Sequence, residues 1–263
     1  MTDSIKILRI QYENIPLFHD GCFEFSFLAE DRVSDPAQVF QLRKNLYTQK
    51  LTALVGINAS GKTSVLKLIY LAISIVLERG SLNTLVYDKS LLQDETKITI
   101  DFCHGDSCYE LHSIIGKRAP SRSTGTELYF KEEQLFKKPL ASIKSKKDAL
   151  YFDQTRLALQ RSQLPKDALG FLKFDVSIVI SIMTDRQLPA IRSLIAFINN
   201  NALMLYGQFA SEVLHAFDSN LEMLSSSMID NNISYTIKFK SDPRTFHVTS
   251  EWGLNNLISS GTI

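Results

Sequence analysis

The stretch Gly56-Ile57-Asn58-Ala59-Ser60-Gly61-Lys62-Thr63-Ser64 decides how the rest of the chain is read, because it fits the pattern G-x-x-x-x-G-K-[ST]. Its flanks suit the pattern. Leu51-Thr52-Ala53-Leu54-Val55 is a short apolar run that reads as a buried strand, and Val65 to Leu77 is apolar and helix-like. A strand, a glycine loop and a new helix together make a phosphate cradle: loop N–H groups point inward and the helix presents its positive end. Gly56 and Gly61 permit backbone angles and a close approach that a Cβ would block. Lys62 is expected to reach the β- and γ-phosphates of a bound nucleotide, and the Thr63 hydroxyl to hold Mg²⁺. A chance match in a glycine-containing turn is the competing account, and the strand and helix on either side disfavour it.

Working outward, the 263 residues are 44% hydrophobic and 22% charged, which suits one large core or two modest ones. A formal net charge of +1 excludes a global field that would mark the whole surface for nucleic acid, though not a local basic patch. Cys22, Cys103 and Cys108 are too few and too irregular for a disulfide framework or a zinc ribbon. Cys103 and Cys108 near His104 and His112 suit a metal less well than two cysteines in a hairpin. Met1-Thr2-Asp3-Ser4 does not read as a signal peptide, and Leu68 to Leu77 and Val176 to Met183 are too short to span a bilayer. A reducing cytoplasm, with no membrane partner, is the expected compartment.

In chain order, Ile5 to Ile10 starts a strand, Asp20-Gly21 marks a turn, and Phe23 to Phe27 alternates as a second arm with a phenylalanine face inward. Glu30 to Gln49 reads as a loop with a short helix. After the glycine loop, Val65 to Arg79 forms a buried helix ending at Gly80. Lys97 to Phe102 and Cys108 to Ile115 form a hairpin around His104 to Ser107. Glu127 to Phe130 is a third strand, continued past a turn by Glu132 to Phe136, and Pro120 to Gly125 is a loop. Lys137 to Lys147 carries five lysines and reads either as a phosphate-backbone contact or as a solvated basic loop. Ala149 to Phe152 reads as a short buried strand. Ser177 to Phe217 is helical in pattern, broken at Pro189 and Asn199 to Asn201, and Leu221 to Ile229 adds a further helical turn. Ile233 to Lys240 and Thr245 to Ser250 form a closing hairpin around Asp242-Pro243.

The chain closes with Ile258-Ser259-Ser260-Gly261-Thr262. With this after the glycine loop, the sequence resembles the N-terminal portion of an ABC-type ATPase of the SMC/RecF/OLD-like group, the bacterial "AAA family ATPase" type. Members open with two strands and a G-x-N-x-[SA]-G-K-[ST] loop, continue through a β-rich excursion and a helical lobe, and then carry an L-S-S-G-[TQE] signature. Ile258 replaces the usual leucine. The resemblance follows the order of elements along essentially the whole chain, with the glycine loop as its one individually specific motif. It implies an α/β, P-loop NTPase fold with an N-terminal β-rich subdomain and an inserted helical lobe. The implied division is 1–157 for the nucleotide-binding core, 158–230 for the lobe and 231–263 for a hairpin leading to the signature.

The resemblance further implies ATP and Mg²⁺ as cofactors. Gly56, Asn58, Ala59, Ser60, Gly61, Lys62, Thr63 and Ser64 would bind the nucleotide, with Thr63 on the metal. Ser259, Ser260 and Gly261 would close in trans over the γ-phosphate held by a second copy, giving an ATP-dependent homodimer. A glutamine sensing Mg²⁺ and the γ-phosphate is expected at Gln154, with Gln160 and Gln163 as rivals and a surface glutamine as the plain alternative. In the family an apolar strand ending in Asp-Glu follows the signature; its Asp supports Mg²⁺ and its Glu orients the attacking water. Here Leu91-Leu92-Gln93-Asp94-Glu95 is a weak imitation in the wrong order, so the catalytic carboxylates are unassigned. The chain is accordingly expected to be a fragment or split product that binds ATP and hydrolyses it poorly. Two functions follow: an ATPase head serving nucleic-acid work such as DNA repair or anti-phage defence, often beside a nuclease, or a non-hydrolysing ATP-dependent module that recruits an effector. A small-molecule P-loop kinase is disfavoured by the hairpin before the loop.

Overall fold

The structure is a computed structural model that describes residues 5–29, 35–56, 60–78, 80–86, 88–119, 126–165, 167, 172–182, 207–208, 220–229, 232–249, 253–254 and 257–258. Its strands are β1 (Lys6–Glu13), β2 (Cys22–Ser26), β3 (Val39–Arg43), β4 (Leu46–Gln49), β5 (Thr96–His104), β6 (Ser107–Arg118), β7 (Glu127–Pro139), β8 (Leu157–Gln160), β9 (Gly207–Gln208), β10 (Leu221–Ile229), β11 (Asn232–Phe239) and β12 (Thr245–Val248). Its α-helices are α1 (Lys62–Leu77), α2 (Leu82–Leu85) and α3 (Lys146–Leu150). The chain forms two units, one of 1–53 and 64–192 and one of 54–63 and 193–263.

The first unit is built on a six-stranded sheet in the order β2-β1-β5-β6-β7-β8, with β3 and β4 as a separate hairpin. Every named strand pair is antiparallel. At β3–β4, β5–β6 and β10–β11 the connection is two residues, which can join only antiparallel neighbours. Gly105-Asp106 is such a turn between paired His104 and Ser107, and Gly105 takes the φ of 56° that a hairpin turn assigns to glycine. The protein is thus α/β, with antiparallel sheets and few helices among the described residues.

Alternation sets the faces. Ile98, Ile100 and Phe102 of β5 are fully buried on one face, with Ile10 and Tyr12 of β1 beside them. The helix α1 buries Leu68, Leu71, Ala72, Ile75 and Val76, and the Tyr12 hydroxyl donates to the Leu68 carbonyl at 2.7 Å. The opposite face is covered at the hairpin end by a second core of Leu8, Leu28, Leu46, Leu140, Ile143 and Ala149 around Cys103 and Cys108. Those two cysteines sit directly opposite one another and form a disulfide. The hairpin was foreseen and the bond was not. Phe18, Phe23, Phe25 and Phe27 form a row of half-buried rings along β2, with successive centroids 5.4, 6.4 and 4.9 Å apart.

Several expectations need correction. Leu51 to Val55 forms no strand: Leu51 is 86% and Val55 90% exposed. An extended run becomes a strand only by joining a ladder, and among the described residues this one joins none of the three sheets. The loop expected over 30–49 contains the β3–β4 hairpin, turned at Asn45 with φ 65°. β7 is one strand rather than two, because Lys131 is the extra residue of a bulge, not a turn. Ala149 and Leu150 end a helix: the Ser145 hydroxyl accepts from the Asp148 N–H and the Asp148 carboxylate accepts from the Lys144 N–H, each at 3.1 Å, a local capping exchange.

In the second unit the sheet order is β12-β11-β10-β9. The closing hairpin forms as expected, but Leu221 to Ile229 is β10 and not a helical turn. A bulge near Glu222 brings Leu221 and Leu224 both inward, so the sequence imitates the three-residue spacing of a helix. Most of the segment expected to be the helical lobe, residues 158–230, lies outside the described residues, and its described part includes the strands β9, within the stretch expected to be helical from Ser177 to Phe217, and β10.

Candidate functional site

The glycine loop leads straight into α1, whose first residues are Lys62, Thr63 and Ser64. The N–H groups of a helix's first turn have no partner within the helix, so they face outward with the positive end of the dipole. Gly61, immediately before, holds φ at 85°, a left-handed angle that a side chain resists. A Cβ on Gly56 would meet the Ser60 hydroxyl oxygen at 2.9 Å. The Lys62 ammonium folds back and donates to the Gly56 carbonyl at 2.9 Å, closing the loop on itself. Gly56 and Ser60 are exposed, while Gly61, Lys62, Thr63 and Ser64 are half-buried. Asn58 and Ala59 lie outside the described residues.

The closing motif is described only at Ile258, which packs with Leu221, Leu224, Tyr235, Ile237 and Leu254 and donates its N–H to the Leu254 carbonyl at 3.1 Å. Ser259, Ser260 and Gly261 lie outside the described residues. Gln154 is exposed at the start of a 3₁₀ turn (Gln154–Arg156) that Asp153 caps by accepting from the Thr155 N–H at 2.9 Å. Gln160 lies on β8 opposite Gln134, and Gln163 is exposed. Asp94 and Glu95 belong to a turn: the Asp94 carboxylate accepts from the Lys117 N–H at 2.9 Å, and Glu95 pairs with Lys131.

Two buried charge clusters escaped the sequence reading. In the first, cross-strand register puts Arg9 beside Asp101 and Asp101 beside Glu110 on one face. The Arg9 Nε donates to Asp101 Oδ2 at 2.8 Å, and His112 Nε2 lies 2.9 Å from Glu110 Oε1. Asp101 is fully buried, and its Oδ1 has no partner among the described residues. Burial, and then repulsion from Glu110, push its carboxyl up to about 7 against the pull of Arg9. A carboxyl raised this far keeps its proton more readily than an ordinary aspartate, and a proton on Asp101 would turn the unpartnered oxygen from acceptor into donor. Of the five lysines in 137–147, Lys137, Lys144 and Lys147 are exposed, as in a solvated basic segment, whereas Lys138 is not. It is buried, with its ammonium 3.7 Å from the Phe152 ring centroid, and burial lowers its pKa.

In the second cluster, fully buried Glu133 accepts from Arg161 Nε at 2.9 Å and Nη2 at 2.7 Å. It also accepts from the Ser113 and Ser177 hydroxyls and the Ile178 N–H. Burial raises the Glu133 pKa, and Arg161 opposes the rise. With every acceptor site occupied, this cluster ties four segments together structurally. A charged residue inside an apolar run, as in Ile100-Asp101-Phe102 or Tyr109-Glu110-Leu111, was the available signal for buried charge.

Among the described residues no group of three or more His, Cys, Asp or Glu side chains could hold a metal, and no helix is long and apolar enough to cross a membrane. No family model, no curated protein and no solved structure matches the chain.

Proposed function

We propose that the chain binds ATP with Mg²⁺ through Gly56 to Ser64 and serves as the nucleotide-binding part of an ABC-type ATPase of the SMC/RecF/OLD-like group. The carrying observation is the glycine loop whose Lys62, Thr63 and Ser64 open a 16-residue helix and whose Lys62 ammonium rests on the Gly56 carbonyl. An anion entering such a loop would take the ammonium from that carbonyl and collect first-turn N–H groups, with the Thr63 hydroxyl as the metal's ligand. The β1–β2 hairpin before the loop and the antiparallel excursion of β5 to β8 after α1 also support this reading. The antiparallel sheet and the unpaired Leu51 to Val55 weigh weakly against the P-loop NTPase fold.

In this reading Ser259, Ser260 and Gly261 close over the γ-phosphate of a second copy, and the ATP-bound homodimer acts on DNA or RNA, alone or beside a nuclease. One observation favours the alternative of a non-hydrolysing assembly module. Asp94 and Glu95, an Asp-Glu pair after an apolar stretch, are engaged by Lys117 and Lys131 and so are poorly available for catalysis.

Lys62→Ala is expected to abolish binding of a fluorescent ATP analogue, since the loop's cation is gone, and the parent is expected to dimerise when saturated with a slowly hydrolysed analogue. Equal binding by mutant and parent overturns the nucleotide assignment; a strict monomer at saturation removes the trans closure.

A further inference from the structure

The Cys103–Cys108 disulfide closes a hairpin that its own ladder already closes. His104 pairs with Ser107 on one side of the bond, and Phe102 with Tyr109 on the other. The cysteines are five residues apart in sequence, and the entropy gained from a cross-link grows with loop length, so this one gains little. Their Cα atoms stand 4.1 Å apart, within the register of the sheet. The strands therefore keep the two sulfurs within reach of each other when the bond is open. Such a bond can break without undoing the sheet, and it can form again.

The same register flanks the pair with lysines. Lys6 of β1 lies opposite Cys103, and Lys138 of β7 lies opposite Cys108, giving a cross-strand row Lys6-Cys103-Cys108-Lys138. Directly paired side chains have Cβ atoms about 5 Å apart. Whichever sulfur leaves as a thiolate has a lysine in the neighbouring position, and a nearby cation favours a thiolate. Asp101, Glu110 and Asp148 favour the charged form of Lys138 against its burial.

The cover over the sulfurs decides access. Cys103 is 3% and Cys108 0% exposed, and both pack with Leu140, Ile143 and Ala149 of the segment that joins β7 to β8. That segment belongs to no sheet, and side chains hold it down. Arg43 Nη1 donates to the carbonyls of Leu140, at 3.1 Å, and of Ala141 and Ile143. Lys138 Nζ donates to the carbonyls of Asp148 and, at 2.7 Å, of Tyr151. A segment held by a few side-chain bonds opens locally, without global unfolding, and a reductant reaches the sulfurs when it does. The influence also runs the other way. Two thiols in van der Waals contact need more room than two bonded sulfurs, and a close-packed core has none to spare. Reduction therefore pushes against the same cover.

We propose that Cys103 and Cys108 are a reversible dithiol–disulfide pair, reduced by an external dithiol, whose state sets how firmly residues 140–151 close over the hairpin. In the reduction, one thiolate of the external dithiol attacks a sulfur of the pair. The Cys103–Cys108 bond breaks, a mixed disulfide forms, and the leaving cysteine takes up a proton. The reagent's second sulfur then displaces the remaining cysteine and closes the reagent's own disulfide. Two electrons and two protons pass from the dithiol to the pair, and reoxidation by a disulfide reverses each step.

The test uses the full chain with Cys22→Ser, which removes the exposed third thiol. The protein is equilibrated in graded ratios of reduced to oxidised dithiothreitol, alkylated and weighed by mass spectrometry. One reversible transition is expected, from no label to two labels per chain, with far-UV circular dichroism unchanged. Amide hydrogen exchange over 140–151 is expected to be about tenfold faster in the reduced form, while the β10 to β12 amides are unaffected. Adding Arg43→Gln, which releases the carbonyls of Leu140, Ala141 and Ile143, is expected to speed reduction at fixed dithiothreitol about tenfold. Two labels at every ratio show that no bond forms and overturn the proposal. A bond that yields only when the β5 and β6 amides lose protection is a permanent staple, which overturns it equally. Reversible exchange with the same amide rates in both forms overturns the coupling to residues 140–151, and an unchanged reduction rate in Arg43→Gln overturns their role as the cover.

Discussion

Removing Arg161 tests the energetic logic of the buried clusters most sharply. The Arg161–Glu133 pair has 9% and 0% side-chain exposure and two nitrogen–oxygen contacts of 2.9 and 2.7 Å. At about 4 Å and an effective dielectric of about 20, such a pair attracts by about 4 kcal/mol. Breaking one partner of a buried pair typically costs about 3–5 kcal/mol, because the other charge is stranded. Arg161→Met should therefore lose about that amount, a large share of the about 5–15 kcal/mol that holds a typical domain folded. With an m-value near 2 kcal/mol per molar urea, the midpoint falls by about 2 M. The loss should depend on pH. Burial already raises the Glu133 pKa and Arg161 is the largest influence opposing it, so the variant's Glu133 is raised further. A raised folded pKa gives stability that is full below the unfolded value and fades as pH rises through the folded one. The variant should thus be closest to the parent near pH 5 and furthest at pH 8, and adding Glu133→Gln should recover most of the deficit. Urea unfolding followed by far-UV circular dichroism at both pH values measures this. A loss below about 1 kcal/mol, or one independent of pH, refutes the account of a stranded buried charge.

Asp101→Asn should flatten the dependence of Tm on pH. The parent carboxyl rises from 3.8 to about 7 on folding, so its contribution is full below about pH 4 and lost by about pH 7; parallel curves for parent and variant would contradict a retained proton. Gly116→Ala places a Cβ 2.4 Å from the Tyr129 ring, which itself neighbours the Arg118 guanidinium, and should cost about 1–3 kcal/mol in thermal unfolding. In a Tyr129→Ala background the same change should cost far less, and an equal cost in both would exclude the steric explanation.

Much of the first unit was legible because local rules and tertiary packing agree there. Alternation in Lys97 to Phe102 and Cys108 to Ile115, with Gly105 between them, leaves few structures other than a tight hairpin. The apolar length of Val65 to Leu77 likewise gives α1. Where packing overrode local pattern, sequence misled. Leu51 to Val55 has the composition of a strand and stays unpaired, because a ladder is a property of two segments. Leu221 to Ile229 carries helical spacing only because a bulge shifts its inward face. Ser145-Lys146-Lys147-Asp148 is the opposite case, a capping signal present in the sequence and overlooked in favour of the apolar residues after it.

By itself the sequence determined the glycine loop: Gly56, Gly61, Lys62 and Thr63 at their spacing, with a helix directly behind them. That is contiguous chemistry, fixed by covalent order. Tertiary structure alone decided which charges meet inside. Arg9, the Asp101–Glu110 pair and Lys138 are well separated along the chain, and only strand register sets them side by side in a region where water cannot compensate them. Such contacts depend on which residues face each other across strands, and no window of neighbouring residues contains that information.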